Sequence, residues 1–442
     1  MKGQAGGARL LVLGGGLAGS EAAWQAAERG VPVRLVEMRP GKTTGAHRGG
    51  DLAELVCSNS LGSVLPDRAG GVIQRELKRM GSLLIGCAAE CAVPAGSALA
   101  VDRGLFARRV TEKILAHPMI DVVRREATEI PDGPAVIATG PLTSPAFSDA
   151  LRGLTGIEHL YFYDAIAPIV DAESIDRSIA FSDSRNDAAA DYLNCPLSEQ
   201  EYRNLVRELA SAERVPLREF ERGGRFFEGC LPVEVLAERG PDTLAYGTMR
   251  PVGLRDPRTG RAPFAAVQLR QENAARTLYN LVGFQTNLRE GEQRRVFRMI
   301  PGLERAEFVR YGQMHRNTFL NAPRLLSPTL QFRARPDLFF AGQLAGVEGY
   351  AGNIATGWLA GWNAARFLQG REPILPPEGT MLGGLCRYLA AAEEKHFQPM
   401  KANLGLLPPL EKRRLSKWDR SKVQSERARE TLEQWWKEVS GS

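Results

Sequence analysis

The residues from Ala8 to Glu37, ARLLVLGGGLAGSEAAWQAAERGVPVRLVE, constrain the fold more than any other part of the chain. Leu10 to Leu13 is a short apolar run suited to a strand buried on both faces, and Val31 to Val36 reads as a second. Between them stand the glycine turn Gly14-Gly15-Gly16-Leu17-Ala18-Gly19 and a helix-forming segment with Ala22, Ala23, Ala26 and Ala27, closed by Gly30. Strand, GxGxxG turn, helix and strand together make a dinucleotide-binding fingerprint in the context it requires. The three glycines differ in what they permit. Gly14 allows the sharp turn, Gly16 lets a pyrophosphate approach the backbone, and Gly19 lets helix and strand pack closely. The helix start offers free N–H groups and a positive dipole to phosphate. Glu37 ends the second strand 18 residues beyond Gly19, where a carboxylate accepts hydrogen bonds from ribose hydroxyls and repels a 2′-phosphate.

A chain of 442 residues has room for two or three domains around a large core. Hydrophobic content of 43% with 24% charged residues is ordinary for a soluble protein. No run approaches 18 apolar residues and the glycine-rich start lacks a secretory pattern, so a cytoplasmic protein without a membrane span is expected. Six cysteines without a C-x-x-C pair, and five histidines, argue against a disulfide framework or a zinc site. Cys87 and Cys91 sit in an alanine-rich helical stretch as small core residues. The net charge of +6 identifies no partner by itself.

After Glu37, a glycine- and arginine-bearing loop leads into Glu54-Leu55-Val56-Cys57-Ser58-Asn59-Ser60. Small polar residues after Cys57 are helix-start residues, predicting a thiol near a turn or helix N-terminus, a setting that favours thiolates; the alternative is a thiol in apolar core. Gly70 to Ala92 reads as one long helix, Ala98 to Asp102 as a strand, Leu105 to Ala116 as an amphipathic helix, and Val122 to Ile130 and Ala135 to Ala138 as strands. That succession predicts a doubly wound parallel sheet. Its second half lies far away, with a strand from Asp337 into Gly342 and Gln343, a glycine-rich loop from Gly346 through Gly352 to Asn353, and a helix from Ile354 to Leu368. A second set of backbone N–H groups would there face a cofactor; the alternative is a close-packed helix with no ligand.

Between the halves lies an insertion, where Ser198 and Glu201 form a capping-box pattern ahead of the stripe Tyr202, Leu205, Val206 and Leu209. In RGGRFFEGCLPVE, Cys230 stands between a glycine and Leu231-Pro232, as in a constrained turn. From Arg250 to Arg270 five arginines face one acid, Asp256, on loops that either meet phosphate or are merely solvated. His315, Arg316 and Asn317 put an imidazole, a guanidinium and an amide on one short segment, as a ligand contact or as structural residues. After a Pro-rich linker, the tail holds a basic run from Leu410 to Lys422, a candidate RNA contact, and a packing stripe of Ala428, Leu432, Trp435 and Val439. The expected division is residues 1–166 and 310–370 for the split first domain, 167–309 for the insertion and 371–442 for the tail.

The blocks GGGLAGSEAAW, ELVCSNS, FFEGCLPVE, MRPVGLRDPRTGRAPFAAVQLRQEN, GFQTNL, IPGLE, QMHRNTF and AGQLAGVEGYAGN resemble the folate- and FAD-dependent tRNA (uracil-5-)-methyltransferases of bacteria, which make the T-loop methyluridine. The likeness runs over nearly the whole chain. It implies a split Rossmann-type FAD-binding domain with an inserted α/β domain and a helical C-terminal tail. It further implies that Gly14, Gly16, Gly19 and Glu37 bind the adenosine diphosphate part of FAD, with Gly342, Gln343, Gly352 and Asn353 beside the rest. Cys230 matches the family cysteine that attacks carbon 6 of uracil, Cys57 its partner near the flavin that removes the carbon 5 proton, and His315 a residue that stacks on the folate pterin. Arg316 and Asn317 join His315 as candidate substrate contacts. Methylenetetrahydrofolate and NAD(P)H are the implied co-substrates and the T arm of tRNA the partner, with no obligate protein partner evident.

The chemistry agrees with that implication. Carbon 5 of uracil becomes nucleophilic only after a thiolate adds at carbon 6, and its proton must later leave to a base. A methylene carbon needs two electrons to become methyl, which a reduced flavin supplies. Two other readings compete: a thiol-assisted flavin oxidase or reductase of small molecules, and a non-catalytic RNA-binding flavoprotein that helps tRNA fold.

Overall fold

The computed structural model describes residues 9–156, 160–185, 191–216, 225–226, 231–410 and 415–440, with backbone only at 160–164, 225–226 and 315–316. Cys230 lies outside the described residues. The apolar runs at either end of the glycine turn form β1 (Leu10–Leu13) and β2 (Val33–Glu37), joined by α1 (Leu17–Ala27). β1 is the centre of a six-stranded sheet, in the order 331–332, 335–340, 135–137, β1, β2, 120–124. All neighbours run parallel except the short edge strand Gln331–Phe332. The strand and helix from the far part of the chain complete this unit, since Arg335–Phe340 pairs with Ala135–Ile137 and α2 (Tyr350–Leu368) lies against α1.

Small residues set how closely the two helices approach. A Cβ built on Gly357 would lie 2.2 Å from the Ala18 carbonyl oxygen, and one on Gly361 2.3 Å from that of Ala22. Neither position accepts a methyl group without driving the helices apart.

The chain leaves this unit through the strand Leu160–Ala165 and returns through Met314–Phe319, which pair antiparallel, with Arg225–Phe226 alongside the first. Between them a second six-stranded sheet is antiparallel throughout and has its own core. The helix Glu199–Ser211 covers it with buried Tyr202, Leu205, Val206 and Leu209, and starts at the capping box that the sequence predicts. The tail returns to the first unit: Ala428 and Leu432 of the helix Lys417–Val439 are buried there, and Trp436 packs against Trp358 and Trp362 of α2. Among the described residues no helix is long and apolar enough to cross a membrane.

Three local expectations are corrected. The single helix read from Gly70 to Ala92 is two, Ala69–Arg79 and Leu83–Glu90, because Gly81 adopts φ +72° and Ser82 caps the second helix by accepting from Ile85 N. The strand Ala98–Val101 joins a small antiparallel side sheet with Ser60–Ser63 and Ala92–Val93, outside the parallel one. The strand after Leu105 to Ala116 is Ile120–Arg124, shorter and earlier than its apolar pattern suggests.

Two buried carboxylates join helices end to side. Glu21 of α1 accepts from Ser82 Oγ, Leu83 N and Leu84 N at 2.8 to 3.2 Å. Glu76 accepts from Met381 N and Leu382 N at 2.7 and 3.0 Å, where the helix Met381–Ala391 begins. Burial outweighs these bonds and pushes the Glu76 carboxyl up from 4.5 to about 7. A carboxyl with a raised folded-state pKa adds stability that is complete below pH 4.5 and is lost as the pH climbs through about 7. That gap corresponds to about 3 kcal/mol. Glu76→Gln is expected to flatten the fall in stability between those pH values relative to the unsubstituted protein, checked by denaturant unfolding across the range; parallel curves refute the assignment.

Candidate active site

A cleft of about 1000 Å³ opens at the carboxyl ends of the central parallel strands, where α1 and α2 both begin. Its lining includes Gly14, Gly16, Glu37, Gly342, Gln343 and Asn353. Gly14 has φ +96°, and a Cβ there would lie 2.4 Å from the Ala138 carbonyl oxygen. Gly19 is packed still more tightly, since a Cβ would stand 1.8 Å from the oxygen of Gly14. At Gly16 a Cβ would meet nothing within 4 Å, which leaves the space before the helix N-terminus open for a phosphate. Across the cleft the buried Asn353 Oδ1 has no hydrogen-bond partner among the described residues, an acceptor available to a bound ligand. These features fit an extended dinucleotide such as FAD.

Glu37 is fixed before any ligand arrives. Its Oε1 accepts from Arg39 N and Arg39 Nε, both at 2.9 Å, and its Oε2 accepts from Gly15 N at 2.7 Å. Burial raises its pKa, but the Arg39 guanidinium and these N–H donors outweigh it and hold the group below its ordinary value. Arg39 is itself 2% exposed and also bonds Glu54 at 2.9 Å. A carboxylate has about four acceptor sites, so roughly one on Oε2 remains for a ribose hydroxyl.

Cys57 follows Val56, which lines the cleft, and is half-buried in a bend ahead of the strand Ser60–Ser63. Of the two settings expected for the thiol, the structure has the turn and not the helix start: Ser58 Oγ and Ser60 Oγ accept from the N–H groups of Ser60 and Gly62, two residues on, while Ser58 and Asn59 also bond Arg270. The hydroxyl of Tyr350, the first residue of α2, accepts from Cys57 N at 2.9 Å and Ser58 N at 3.0 Å. Burial, then the neighbouring Cys57, raises the Tyr350 pKa, so the phenol stays neutral. Three arginines hold the other side. Arg103 donates to the carbonyls of Leu55 and Cys57 at 2.8 and 3.2 Å, and Arg310 donates to that of Val56 at 3.0 Å. Arg270 donates to Asn59 Oδ1 and Ser58 Oγ, both at 2.8 Å. Glu272, 4% exposed, pairs with Arg103. The Sγ atom lies 3.9 Å from the carbonyl oxygen of Ala165, at the end of the outgoing strand.

A family model described as "Glucose inhibited division protein A" matches residues 9–372. The methylenetetrahydrofolate--tRNA-(uracil-5-)-methyltransferase TrmFO of Moorella thermoacetica is 59% identical over 429 residues, covering 97% of each chain. Its counterpart in Bacillus cytotoxicus is 56% identical over 423 residues, covering 96% of this chain and 97% of its own. The chain belongs to this methyltransferase family. A crystal structure of Aquifex aeolicus GidA shares the fold at TM-score 0.67 and 17% identity, covering 96% of this chain and 73% of its own.

Within this family member the other candidate residues are placed as follows. His315, Arg316 and Asn317 lie on the returning strand, opposite Asp164, Tyr163 and Phe162, and the Asn317 side chain is buried. The side chains of His315 and Arg316 lie outside the described residues. Gln343 lines the cleft and donates to Glu348 at 3.2 Å. Gly352 and Asn353 belong to the first turns of α2 and not to a loop. Gly352 faces away from the cleft: a Cβ would meet Val347 Cγ1 at 2.8 Å. The roles of Tyr350, Arg103, Arg270, Glu272 and Arg310 around Cys57 were not among the sequence expectations. Tyr350 stands in the AGQLAGVEGYAGN block and Arg270 and Glu272 in MRPVGLRDPRTGRAPFAAVQLRQEN, whereas Arg103 and Arg310 lie in none of the blocks.

Gly16→Ala is expected to keep the melting temperature of the apoprotein while lowering FAD retention, because its methyl group points into open cleft. Gly19→Ala should lower both, by more than about 1 kcal/mol for the stability. Flavin absorbance of the purified proteins and apoprotein melting separate the two; equal behaviour would contradict the distinct roles of the two glycines.

Proposed function

We propose that this protein methylates carbon 5 of the T-loop uridine of tRNA in the cytoplasm, taking its carbon from methylenetetrahydrofolate. The cleft lined by Gly14, Gly16, Glu37, Gly342, Gln343 and Asn353 would hold FAD, which when bound and reduced by NAD(P)H would supply the two electrons that methylene needs to become methyl. The observation that carries the reading is the near-full-length identity to enzymes of that name, joined to a half-buried cysteine fastened beside a dinucleotide cleft. Cys230 adds through its thiolate to carbon 6, so that the pair of electrons of the 5,6 double bond moves onto carbon 5 and the carbonyl oxygen. One C–N bond of the methylene carbon breaks as carbon 5 bonds to it. Cys57 then accepts the proton that carbon 5 loses while the second C–N bond breaks and tetrahydrofolate leaves, and addition of a hydride to the resulting exocyclic methylene expels the Cys230 thiolate and restores the ring.

The backbone of Cys57 is held at both its N–H and its carbonyl, which limits the thiol to side-chain rotation. Gly14, Gly16, Gly19, Glu37, Gly342, Gln343 and Asn353 serve FAD, directly or by packing, with Gly352 behind them, and His315, Arg316 and Asn317 serve folate and base. Residues 1–166 and 310–370 act as the FAD-binding unit, 167–309 as the insertion that brings Cys230, and 371–442 as the tail. The uridine must be flipped out of its stack to reach the cleft.

Purified protein incubated with unmodified tRNA, NADPH and methylenetetrahydrofolate labelled in the methylene carbon is expected to give labelled 5-methyluridine. Cys230→Ala should lose the product by at least about 10³-fold, as for removal of a covalent nucleophile. Cys57→Ala should lose it while still forming the adduct at carbon 6, detected as a tRNA–protein species on denaturing gels. NADPH consumption with no label in RNA would favour the small-molecule oxidase instead.

A further inference from the structure

A second cavity, of about 500 Å³, lies between the inserted sheet and the Gly96–Ser97 turn of the first unit. Arg185, Arg250, Gln268 and Tyr192 line it, and no carboxylate does among the described residues. Among the described residues, the acids nearest Arg185 in sequence, Asp183 and Asp191, are turned to backbone donors. Asp191 accepts from Gly96 N at 2.7 Å, and Asp183 accepts from Ser184 N at 2.8 Å and Arg255 N at 3.2 Å. Arg185 is anchored from behind, its Nη2 donating to the carbonyls of Thr248 at 3.0 Å and Ala266 at 3.4 Å. Its Nε is buried and has no hydrogen-bond partner among the described residues. Burial and the charge of Arg250 push the Arg185 pKa down to about 10, so its guanidinium remains charged at neutral pH. Two neighbouring cations with an unfilled buried donor form a site that an oxyanion stabilises.

The cavity is also well placed. Gln268 and Arg270 lie on one face of the strand Ala265–Gln271, about 7 Å apart. Arg270 bonds Ser58, the residue after Cys57. The segment carrying Arg250 also presents Tyr246, 85% exposed, Val252, 69% exposed, and the exposed Arg255. An exposed aromatic ring among arginines suits a nucleic acid strand better than a small molecule.

We propose that this cavity seats a backbone phosphate of the RNA substrate between Arg185 and Arg250. The inference rests on the functional reading above for the identity of the polymer. The test is binding of an unmodified tRNA transcript to the FAD-loaded protein over a salt series, by fluorescence anisotropy. Arg250→Gln is expected to weaken binding and to lower the slope of log K against log salt by roughly 0.7 to 0.9, the share of one phosphate. Arg250→Lys should restore most of the slope, and Arg250→Glu should weaken binding further. Flavin content and melting temperature stay unchanged, since the Arg250 side chain is exposed.

Slopes equal to that of the unsubstituted protein in Arg250→Gln and Arg250→Glu overturn the proposal. So does a raised KM for methylenetetrahydrofolate with unchanged tRNA binding, which would give the cavity to the carboxylates of folate. The slope is read on binding alone and decides the cavity even if no methyl group is transferred. Product formation by the unsubstituted protein separately decides the functional reading, and absence of tRNA binding by that protein overturns both.

Discussion

The close contact of α1 with α2 is the constraint on which the rest depends. Gly357 and Gly361 sit over the carbonyls of Ala18 and Ala22 with no room for a side chain, which brings together helices whose sequences stand more than 300 residues apart. Because the helices start at the same sheet edge, their N-termini face one cleft from two sides. The insertion that separates them must therefore be a closed excursion from the central unit. The paired strands Leu160–Ala165 and Met314–Phe319 accomplish this, since antiparallel pairing returns the chain beside its point of exit. The outer side of the same helix pair receives the tail, where Trp358 and Trp362 meet Trp436, and Arg29 lies 3.8 Å above the Trp362 ring.

Buried carboxylates repeat one solution in different places. Glu21, Glu76 and Glu37 each accept backbone N–H groups that no helix or sheet bond would otherwise satisfy. What separates them is a directly bonded cation. Glu37 has Arg39 at 2.9 Å and is held below its ordinary pKa, whereas burial prevails at Glu21 and Glu76 and raises theirs. The carboxylate that faces the ligand cleft is thus the one kept charged, as an acceptor for hydroxyl groups must be. The two that join helices tolerate a proton.

Legibility followed the range of the forces involved. The roles of Gly14 and Gly19 were readable because a GxGxxG turn carries its own strand and helix within 30 residues, and the capping box at Ser198 because its bonds close within one turn. The break at Gly81 was missed because an apolar pattern runs straight through it, and only the cap at Ser82 with its bonds to Glu21 reveals two helices. Gly352 shows a different limit. A glycine in a motif signals close approach without saying to what, and here the neighbour is Val347. The fastening of Cys57 was beyond local reading altogether, since its partners Arg103 and Tyr350 lie 46 and 293 residues away.

That fastening has an electrostatic side. The three arginines that bond residues 55–59 are all cations, and Glu272, which pairs with Arg103, offsets only part of their charge. Burial lowers the pKa of Arg270, and burial together with Arg103 lowers that of Arg310 to about 10, which leaves Arg310 protonated at neutral pH. Such charge is poorly screened by salt, because ions do not enter the interior. In the proposed reaction negative charge passes from a thiolate to an enolate oxygen, and fixed positive charge in a dry site stabilises that change without reorganising. The cations on the surface segment around Arg250 act under the opposite condition, exposed and open to screening by salt. One set of arginines therefore suits chemistry on a single base, and the other suits contact with a long polyanion. Arg270 of the first set and Arg250 of the second are carried by the inserted strand Ala265–Gln271 and the segment that precedes it.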